Sequence, residues 1–445
     1  MKVLKFGGTS VGSAARMKEV AQLITADNDK KIVVLSAVSG TTNKLVSIAE
    51  SLFKQDKEEA IHKIETLKKE YQTLIIELYD KESSIEKAKQ LLQENFNYLN
   101  SFTQDLFTLY EERALVAQGE LLSTNLFQFY CEEKGIQTML IPALDFMRID
   151  KNLEPDEYYI QSNLTKEINL FPAIDIFITQ GYICRNAFGE IDNLKRGGSD
   201  YTATLVGAGI NATEVQIWTD IDGMHNNDPR IVEGTTPVET LSYNEAAELA
   251  YFGAKILHPS CVWPSQKNNI PIVLKNTMQP EAKGTTITSS SPGKRITAIA
   301  AKDGITAIKI RSGRMLNAHG FLRSVFEVFE RYKTSIDMIT TSEVAVSLTI
   351  DDASRLKEIT EELEKYASVE IDSNQTIICV VGDFISENKG YAEQIFGSLR
   401  NIPIRMISYG GSHNNVSILV EESLKKEALQ SLHAGLFMNQ KSAAL

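Results

Sequence analysis

Short apolar runs and predicted helices alternate over the first part of the chain. Lys2–Phe6 and Lys31–Ser36 are β-rich and almost uniformly apolar, as expected of strands that are buried on both faces of a parallel sheet. Between them, a glycine-rich turn leads into a helix predicted from about Ala14 to Ala26. Because strand, helix and strand form a βαβ unit, the pattern predicts a parallel sheet covered by helices. Further strands are predicted at Gly135–Pro142, Ala173–Gly181, Ala212–Thr219 and Ile270–Leu274.

Helical periodicity dominates between about Leu45 and Tyr130, which is therefore predicted to form a helical insert. Glu120 follows Gly119 in this region and is expected at the start of a helix, where two interpretations remain open. It is either a binding carboxylate or an N-terminal charge that complements the helix dipole. Apolar residues recur at helical spacing with Lys and Glu between them, at Ile61, Ile64, Leu67, Tyr71, Leu74, Ile75 and Leu78.

Two more helices and a domain boundary are predicted farther along. One helix is expected over Tyr201–Gly207 and another over Tyr243–Leu257, where Ser242 and Glu245 have the spacing of a capping box. Gly284–Arg295 is rich in Thr, Ser, Gly and Lys, so it is predicted to be a linker and the main boundary.

Past this linker the chain repeats itself. Gly320-Phe321 and Gly390-Tyr391 are 70 residues apart, and each unit has the pattern of strand, helix, strand, strand and helix. The second unit lacks a last strand after its helix near Leu432, and a spare strand at Ile296–Ala301 precedes the first unit. We expect that spare strand to complete the second unit. Tandem βαββαβ units commonly bind ligands at a shared edge, although two purely structural modules remain the alternative.

Length and charge limit the classes of function. At 445 residues, two or three domains are expected. The net charge of −12 disfavours nucleic acid and anionic membranes as partners, because phosphate backbones need a basic face. No apolar run approaches the roughly 20 residues that span a bilayer, and no signal peptide is evident. The four cysteines are scattered without a C-x-x-C pair or zinc spacing, so a cytoplasmic protein with reduced thiols is expected.

Two glycine doublets next to a cation carry the candidate chemistry. Lys5 precedes Gly7-Gly8, and Arg196 precedes Gly197-Gly198. Glycine pairs let backbone N–H groups approach an anion closely, and both segments follow predicted buried strands. Each could be a plain turn; together they predict the two halves of one phosphate- and carboxylate-binding cleft. Ala37–Asn43, a turn rich in small residues after the second strand, is expected at the same edge of the sheet.

The common nucleotide and hydrolase signatures are absent from the sequence. There is no G-x-x-x-x-G-K-[ST] and no protein-kinase loop set, and the six histidines are isolated. Phosphoryl transfer to a carboxylate needs no histidine base, because a carboxyl group with a pKa of roughly 4 is already ionised. Lys5, Arg196, Arg230 and Lys255 could neutralise the phosphates. Acidic residues such as Asp200 and Glu120 would instead hold cations, either a substrate ammonium or Mg²⁺ through water.

Seven short motifs, in order between Lys5 and Pro259, resemble those of the aspartokinases. The resemblance implies a three-layer αβα amino-acid kinase domain with a mainly parallel sheet, followed by two α+β ACT domains of ferredoxin-like βαββαβ fold. It also implies Mg²⁺- and ATP-dependent phosphorylation of the β-carboxylate of L-aspartate. The motifs are K-F-G-G-T-S-V (Lys5–Val11), Gln118-Gly119-Glu120, T-Q-G-Y (Thr179–Tyr182), R-G-G-S-D-Y-T-A (Arg196–Ala203), W-T-D (Trp218–Asp220), D-P-R (Asp228–Arg230) and F-G-A-K-I-L-H-P (Phe252–Pro259).

The same resemblance implies roles for individual residues. Lys5 would lie beside the transferring phosphoryl group, and Asp200 would orient Lys5 and the metal-phosphate, with no metal ligated directly by side chains. The aspartate site would comprise Thr42, Glu120 (to the ammonium), Arg196 (to the α-carboxylate), Gly197, Gly198 and Ser199. The nucleotide site would comprise Lys5, Gly7, Gly8, Thr219, Asp220, His225, Arg230, Lys255 and Ile256. Lys195 and His225 stand where the family often has glycine and tyrosine.

The repeat resembles the paired ACT domains of lysine-sensitive aspartokinases, which implies feedback inhibition by L-lysine. Asp337 would face the effector's ammonium; a solvated strand-end carboxylate is the alternative. The implied effector site comprises Met315, Ala318, Phe321, Leu322, Ser335, Asp337, Thr341, Ser342 and Val344. The implied domains are 1–285 (kinase, with an insert at about 45–130), 286–303 (linker and completing strand), 304–373 and 374–445 (the two ACT domains).

Three interpretations of function follow from these features. The first is a monofunctional aspartokinase, because the chain ends at Leu445, which assembles as a homodimer or dimer of dimers through its ACT domains. The second is another carboxylate kinase of the superfamily, such as one that acts on N-acetylglutamate. The third is an amino-acid sensor whose kinase half is inactive. The charged set of Lys5, Glu120, Arg196, Asp200 and Lys255 favours the first, with ATP, L-aspartate and L-lysine as small-molecule partners.

Overall fold

The structure is a computed structural model that describes residues 1–194, 197–254, 257–290, 293, 295–312, 320–383 and 389–438. It divides into two compact units. The first unit comprises Met1–Met224 and Ile256–Ser290, and the second comprises His225–Lys255 and Ser291–Leu445. None of the described helices combines the length and the apolar character needed to cross a membrane.

In chain order, the elements up to Thr288 begin with the predicted strand, helix and strand, and four consecutive helices follow. The elements are β1 (Lys2–Phe6), α1 (Ala14–Ile24), β2 (Lys31–Leu35), α2 (Thr41–Phe53), α3 (Lys57–Leu78), α4 (Glu82–Ser101), α5 (Leu109–Glu133), β3 (Thr138–Leu140), α6 (Ala143–Phe146), α7 (Glu157–Asn169), β4 (Ile176–Gln180), β5 (Ile183–Arg185), β6 (Ile191–Asn193), α8 (Gly198–Gly209), β7 (Val215–Thr219), β8 (Thr240–Ser242), α9 (Tyr243–Tyr251), α10 (Val262–Lys267), β9 (Ile272–Asn276) and β10 (Thr285–Thr288).

The first unit is built on a mainly parallel sheet, which confirms the predicted fold class. Its strands lie in the order β3-β4-β2-β1-β7-β9-β10, and only the β9–β10 pair among them is antiparallel. One face of β1 and β2 packs with α1, α2 and the insert helices in a single apolar core. Helix α8 packs against β1, β2 and β7, with α7 and α10 beside it. These contacts make three layers, with the sheet in the middle.

The helical insert corrects the predicted position of Glu120. Helix α5 begins at Leu109, where Thr108 and Glu111 form a capping box, and it continues to Glu133. Glu120 therefore lies in the middle of a long helix and is buried. The prediction of a helix start was wrong because the true N-terminal signal lies eleven residues before Gly119. A role in complementing the helix dipole is excluded at this position, since that effect falls off within the first turn.

Three further differences from the predicted elements concern this part of the chain. The predicted linker Gly284–Arg295 contains β10, whose residues pair with β9. The hairpin of β5 and β6 was not predicted, because its strands have only three residues each. Helix α9 ends at Tyr251, six residues before the predicted end at Leu257, although its predicted capping box of Ser242 and Glu245 is present.

The second unit continues with the tandem repeat. Its elements are β11 (Ile296–Arg311), α11 (Phe321–Arg331), β12 (Ile339–Thr341), β13 (Ala345–Ile350), α12 (Leu356–Leu363), β14 (Ser368–Gly382), α13 (Tyr391–Ser398), β15 (Met406–Tyr409), β16 (Asn415–Glu421) and α14 (Lys425–His433).

These strands form one sheet in the order β12-β13-β11-β14-β16-β15. Both β11 and β14 are long enough to serve both repeats. The first part of β11, Ile296–Lys302, pairs with Ile377–Gly382 of β14, and the second part, Ile305–Arg311, pairs with both β13 and the first part of β14. Gly320 and Gly390 occupy equivalent positions in the two repeats. Each directly precedes a helix, and their φ angles are positive, at +94° and +88°.

The segment His225–Lys255 belongs to this second unit and packs against its sheet. Asn227 donates a hydrogen bond from Nδ2 to the carbonyl of Leu429 at 3.1 Å. The Ile299 N–H donates to the carbonyl of Asn226 at 3.0 Å. The unit therefore combines the tandem repeat with a segment that precedes it by more than 40 residues along the chain.

Candidate functional site

A cleft opens at the carboxyl ends of β1 and β2 in the first unit. Its volume is about 640 Å³, and eight of the predicted site residues line it. They come from β1 and the turn after it, the start of α2, the middle of α5, and the N-cap and first turn of α8. The eight are Lys5, Gly8, Thr42, Glu120, Gly197, Gly198, Ser199 and Asp200. Arg196, predicted to bind a carboxylate here, lies outside the described residues.

Lys5 and Asp200 form an ion pair in this cleft. Lys5 is the fourth residue of β1, and Asp200 is in the first turn of α8. The Nζ and Oδ1 atoms are 2.5 Å apart, and the two side chains are 9% and 14% exposed. A pair this little exposed is weakly screened by solvent, so each charge holds the other in position. The pair therefore presents an ammonium of fixed orientation to the cleft.

Two helix N-termini also line the cleft. Helix α2 begins after Gly40 (φ +79°) and α8 begins after Gly197 (φ +75°), and both glycines are lining residues. The first turn of a helix has N–H groups without intrahelical acceptors and a partial positive charge, so it attracts anions. Gly197 is also required for space, because a Cβ there would lie 2.3 Å from the Cβ of His258. The cleft thus offers backbone dipoles as well as Lys5 to negatively charged groups.

Glu120 is an isolated carboxyl group at the same cleft. Its Oε1 accepts a hydrogen bond from the Ala37 N–H at 3.3 Å, whereas Oε2 is buried and has no hydrogen-bond partner among the described residues. Burial raises the pKa of Glu120 to about 8. A buried carboxylate oxygen without a partner is costly, and an ammonium group would remove that cost. The site therefore has an acceptor for a substrate cation next to its anion-binding groups.

Small residues let these elements approach one another. A Cβ at Gly119 would lie 2.9 Å from the Cβ of Ala37, so glycine allows α5 to bring Glu120 close to the turn after β2. A Cβ at Gly181 would lie 2.6 Å from the Cβ of Ser199. The Q-G-E and T-Q-G-Y motifs therefore place their glycines where the walls of the cleft meet.

Several residues that were not predicted from the sequence also line the cleft. Ser39, Asn43 and Tyr182 are among them. Tyr182 has a φ of +68°, which is uncommon for a residue other than glycine. Its ring would clash with a Cβ at Gly198, at 2.6 Å from Cδ2. The sequence did contain signals for these residues, namely the turn Ala37–Asn43 and the T-Q-G-Y motif. Both were recognised, but no binding role was predicted for Ser39, Asn43 or Tyr182.

The predicted nucleotide contacts are only partly brought together. Gly7 and Thr219 lie at the same sheet edge, because β1 and β7 are parallel neighbours and the Gly7 N–H donates to the Trp218 carbonyl at 3.2 Å. Asp220 follows Thr219 directly. His225 and Arg230 belong to the second unit, where Arg230 is 76% exposed and holds the pKa of Asp228 below its usual range. Lys255 and Ile256 lie outside the described residues.

The predicted effector contacts belong to the second unit. The side chain of Asp337 is only 1% exposed and is paired with Lys302, Nζ to Oδ1, at 2.8 Å. This contradicts the alternative of a solvated strand-end carboxylate. Among the others, Phe321 and Leu322 begin α11, Thr341 ends β12, and Ser335, Ser342 and Val344 lie in the loops beside β12. Met315 and Ala318 lie outside the described residues.

Comparisons with known proteins agree with this architecture. The model of the amino acid kinase family matches residues 1–276, and an ACT domain model matches residues 378–436. The chain is 33% identical to lysine-sensitive aspartokinase 3 of Escherichia coli (strain K12), over 98% of this chain and 99% of that protein. It is 34% identical to the chloroplastic aspartokinase 2 of Arabidopsis thaliana, over 98% and 84% of the two chains.

Two solved structures of E. coli aspartokinase III resemble the whole chain. The complex with aspartate and ADP, described as the R-state, has a TM-score of 0.86 at 32% identity and covers 98% of this chain and 100% of that one. The complex with lysine and aspartate, described as the T-state, has a TM-score of 0.81 at 33% identity and covers 98% and 99%. The fold of both units is therefore shared with these proteins.

Proposed function

The chain belongs to the aspartokinases of the amino acid kinase family, and we propose that it transfers the γ-phosphoryl group of ATP to the β-carboxylate of L-aspartate. The product is 4-phospho-L-aspartate, whose formation begins lysine, threonine and methionine biosynthesis. The observation that carries the proposal is the cleft itself. It combines the Lys5–Asp200 pair, two helix N-termini and the unpartnered Oε2 of Glu120 within about 640 Å³.

Aspartate has one cationic and two anionic groups, and each has a proposed partner. Its ammonium would bind Glu120, where it would remove the cost of the unpartnered oxygen and bring the pKa of Glu120 down. Its α-carboxylate would pair with Arg196, whose planar guanidinium can donate two parallel hydrogen bonds. Thr42, Gly197, Gly198 and Ser199 would complete this site with hydroxyl and backbone donors. The β-carboxylate would then be directed toward Lys5.

The chemical step requires two anions to approach each other. The β-carboxylate is ionised and is the nucleophile, so no base is needed to activate it. Lys5 would stabilise the negative charge on the equatorial phosphoryl oxygens in the transition state, and Asp200 would hold the Lys5 ammonium in position for this. The N–H groups at the starts of α2 and α8 would act in the same sense. Because these groups are fixed before the reactants bind, little reorganisation is needed during the reaction.

ATP would bind next to this site with Mg²⁺. Among the described residues, no group of three or more His, Cys, Asp or Glu side chains could hold a metal ion by itself. The arrangement fits an ion that is carried by the phosphates and reached by Asp200 through water, where it would neutralise phosphate charge. The nucleotide would contact Gly7, Gly8, Thr219 and Asp220 in the first unit, together with His225, Arg230, Lys255 and Ile256.

The repeat would form two ACT domains that bind L-lysine and inhibit the kinase. We place the domains at 1–285, 304–373 and 374–445, with 286–303 joining them and contributing a strand to the second ACT unit. Asp337 would bind the effector's ammonium, together with the other predicted effector contacts. We expect a cytoplasmic enzyme of amino-acid biosynthesis. It would assemble as a homodimer or a dimer of dimers through these domains.

Trapping of the acyl phosphate tests the proposed activity. Purified full-length chain with Mg-ATP, L-aspartate and hydroxylamine should give aspartyl hydroxamate and an equal amount of ADP. N-acetylglutamate offered in place of aspartate should give none. Absence of hydroxamate with aspartate would contradict the proposal, and hydroxamate from N-acetylglutamate alone would favour the other carboxylate kinases. Lys5→Met should abolish the product, while Lys30→Met, a change outside the cleft lining, should not.

A further inference from the structure

Asp337 has a second partner that the sequence analysis did not anticipate. The Tyr251 hydroxyl donates a hydrogen bond to Oδ1 of Asp337 at 2.9 Å. The same oxygen accepts from Lys302 Nζ at 2.8 Å, and Lys302 also pairs with Asp351 at 2.8 Å. The Lys302 ammonium lies 4.6 Å from the centre of the Tyr251 ring, within reach of a cation–π contact. Tyr251, Lys302 and Asp337 therefore form one cluster.

The cluster has one unused acceptor. Oδ2 of Asp337 is buried and lacks a hydrogen-bond partner among the described residues, although the side chain is only 1% exposed. A ligand ammonium would satisfy this oxygen. Tyr251 and Lys302 both donate to Oδ1. A cation bound to Oδ2 would therefore shift negative charge toward Oδ2 and weaken the two hydrogen bonds to Oδ1.

Tyr251 is the last residue of α9, and this helix is attached to the sheet of the second unit at its other end as well. Thr297 of β11 donates from Oγ1 to Oε1 of Glu245 at 2.6 Å, in the first turn of the helix. Just past the helix, Gly253 has a φ of +111°, and a Cβ there would lie 2.1 Å from the carbonyl oxygen of Ala301. Contacts with the rest of the second unit therefore hold α9 in its first turn, at Tyr251 and just past its end.

A proposed nucleotide contact follows Tyr251 closely in the sequence. Lys255, the proposed nucleotide-binding cation, is four residues along the sequence from Tyr251. His225 and Arg230, two more proposed nucleotide contacts, belong to the same compact unit as the effector candidates. We therefore expect a displacement of the end of α9 to alter the affinity for ATP.

We propose that Tyr251 is a positioning residue that couples the occupancy of Asp337 to nucleotide binding. Without effector, its hydrogen bond to Asp337 holds the end of α9 in the arrangement that binds ATP. When an amino-acid ammonium occupies Oδ2, that hydrogen bond weakens and α9 loses this constraint. This inference rests on the proposed function, in which the carboxylate of Asp337 binds the ammonium group of the effector.

The expected size of the effect follows from the kind of bond. Coupling between two sites equals the difference in interaction free energy between the two states, and it is reciprocal. Loss of a hydrogen bond to a charged group changes an equilibrium by about tenfold or more. The affinity of lysine should therefore differ by about this factor between nucleotide-free and nucleotide-saturated enzyme, provided that Tyr251 keeps its hydroxyl.

Calorimetric titration of the full-length chain with L-lysine tests this inference. The dissociation constant is measured with and without a saturating, non-hydrolysable Mg-ATP analogue, and the ratio of the two is the coupling factor. Tyr251→Phe should reduce the coupling factor by about tenfold, to near one, without weakening lysine binding to the nucleotide-free enzyme. Tyr158→Phe removes the hydroxyl of a tyrosine that is 81% exposed in the first unit, and it should leave both values unchanged.

The outcomes separate this inference from the proposal it rests on. An unchanged coupling factor in Tyr251→Phe overturns the inference alone. If Tyr251→Phe binds lysine more weakly but has an unchanged coupling factor, the inference is also overturned, because Tyr251 then only contacts the ligand. A wild-type chain that does not bind lysine, or an Asp337→Ala variant that binds it as tightly as wild type, overturns the proposed effector site and the inference with it.

Discussion

Lys5 Nζ lies 2.5 Å from Oδ1 of Asp200, which joins the end of the first strand to the first turn of α8. The two residues are 195 positions apart in the sequence, and each belongs to one of the two glycine-doublet motifs. Their contact means that the motifs form two walls of one cleft. The proposed catalysis depends on this convergence.

Asp200→Asn should lower kcat by about 100-fold or more while changing the KM for aspartate by less than about threefold. The amide keeps the shape of the side chain but leaves the Lys5 ammonium without its buried counter-charge, so that its position is no longer fixed. Steady-state assay of ADP formation measures both constants. Asp29→Asn, which removes an exposed partner of Lys2 at 2.7 Å, is the matched control and should be neutral. An equally large loss in the control would mean that the assay reports general electrostatics.

The pH dependence of aspartate binding should report Glu120. In the free enzyme burial raises the pKa of this group to about 8, and the substrate ammonium requires its charged form. The KM for aspartate should therefore rise about tenfold for each pH unit below 8, because a proton must be released on binding. Glu120→Gln should bind aspartate more weakly at pH 8, and its KM should be nearly independent of pH. Glu132→Gln, on the exposed side of the same helix, should keep the wild-type profile.

Stability should depend on the same carboxyl group. Its folded pKa, about 8, lies above the ordinary value of 4.5, so the charged form destabilises the ligand-free fold. Because the folded state holds the proton more tightly, Glu120 contributes to the free energy of unfolding. This stabilising contribution is fully present below pH 4.5 and is lost as the pH rises through 8. Glu120→Gln removes the effect, so its unfolding free energy should gain on that of wild type by up to about 4 kcal/mol across this range. Denaturant titrations at pH 5 and pH 8 measure the difference; a gap that does not widen with pH would contradict the assignment.

The cleft should also be sensitive to single methyl groups. Gly181→Ala would place a Cβ 2.6 Å from that of Ser199, so one wall must move and aspartate binding should weaken by about tenfold or more. Gly397 offers the control, because it lies in a helix with no atom within 4 Å of an added Cβ. Gly397→Ala should leave the kinetics unchanged and raise stability by up to about 1 kcal/mol. Equal kinetics in both variants would show that the contact at Gly181 does not shape the site.

The sequence predicted the fold in outline because its periodicities are strong and local. β1, α1 and β2 lie where the apolar runs and the glycine turn placed them, and the 70-residue repeat corresponds to α11 and α13. The strand β10 was taken for a linker, since four residues rich in threonine have no clear alternation. Its assignment depends on pairing with β9, which is a tertiary property.

The site was predictable as a set of residue types but not as a set of contacts. Glu120 was chosen from a motif, yet its missing partner and raised pKa arise from packing in the middle of α5. The partners of Asp337 were unforeseen for the same reason. Lys302 and Tyr251 are 35 and 86 residues away from it, and neither is part of a motif that signals binding. Such pairings need the three-dimensional fold.

Transfer of an oxygen label from the β-carboxylate to phosphate is the sharpest test of catalysis in this cleft. L-aspartate with ¹⁸O at both oxygens of its β-carboxylate is incubated with Mg-ATP and enzyme, and hydroxylamine then cleaves the acyl phosphate by attack at the acyl carbon. If the β-carboxylate attacks the γ-phosphorus within this cleft, the released phosphate carries one ¹⁸O atom for each hydroxamate formed, and Lys5→Met yields neither. Phosphate without the label, or labelled phosphate at the wild-type rate from Lys5→Met, would contradict the account.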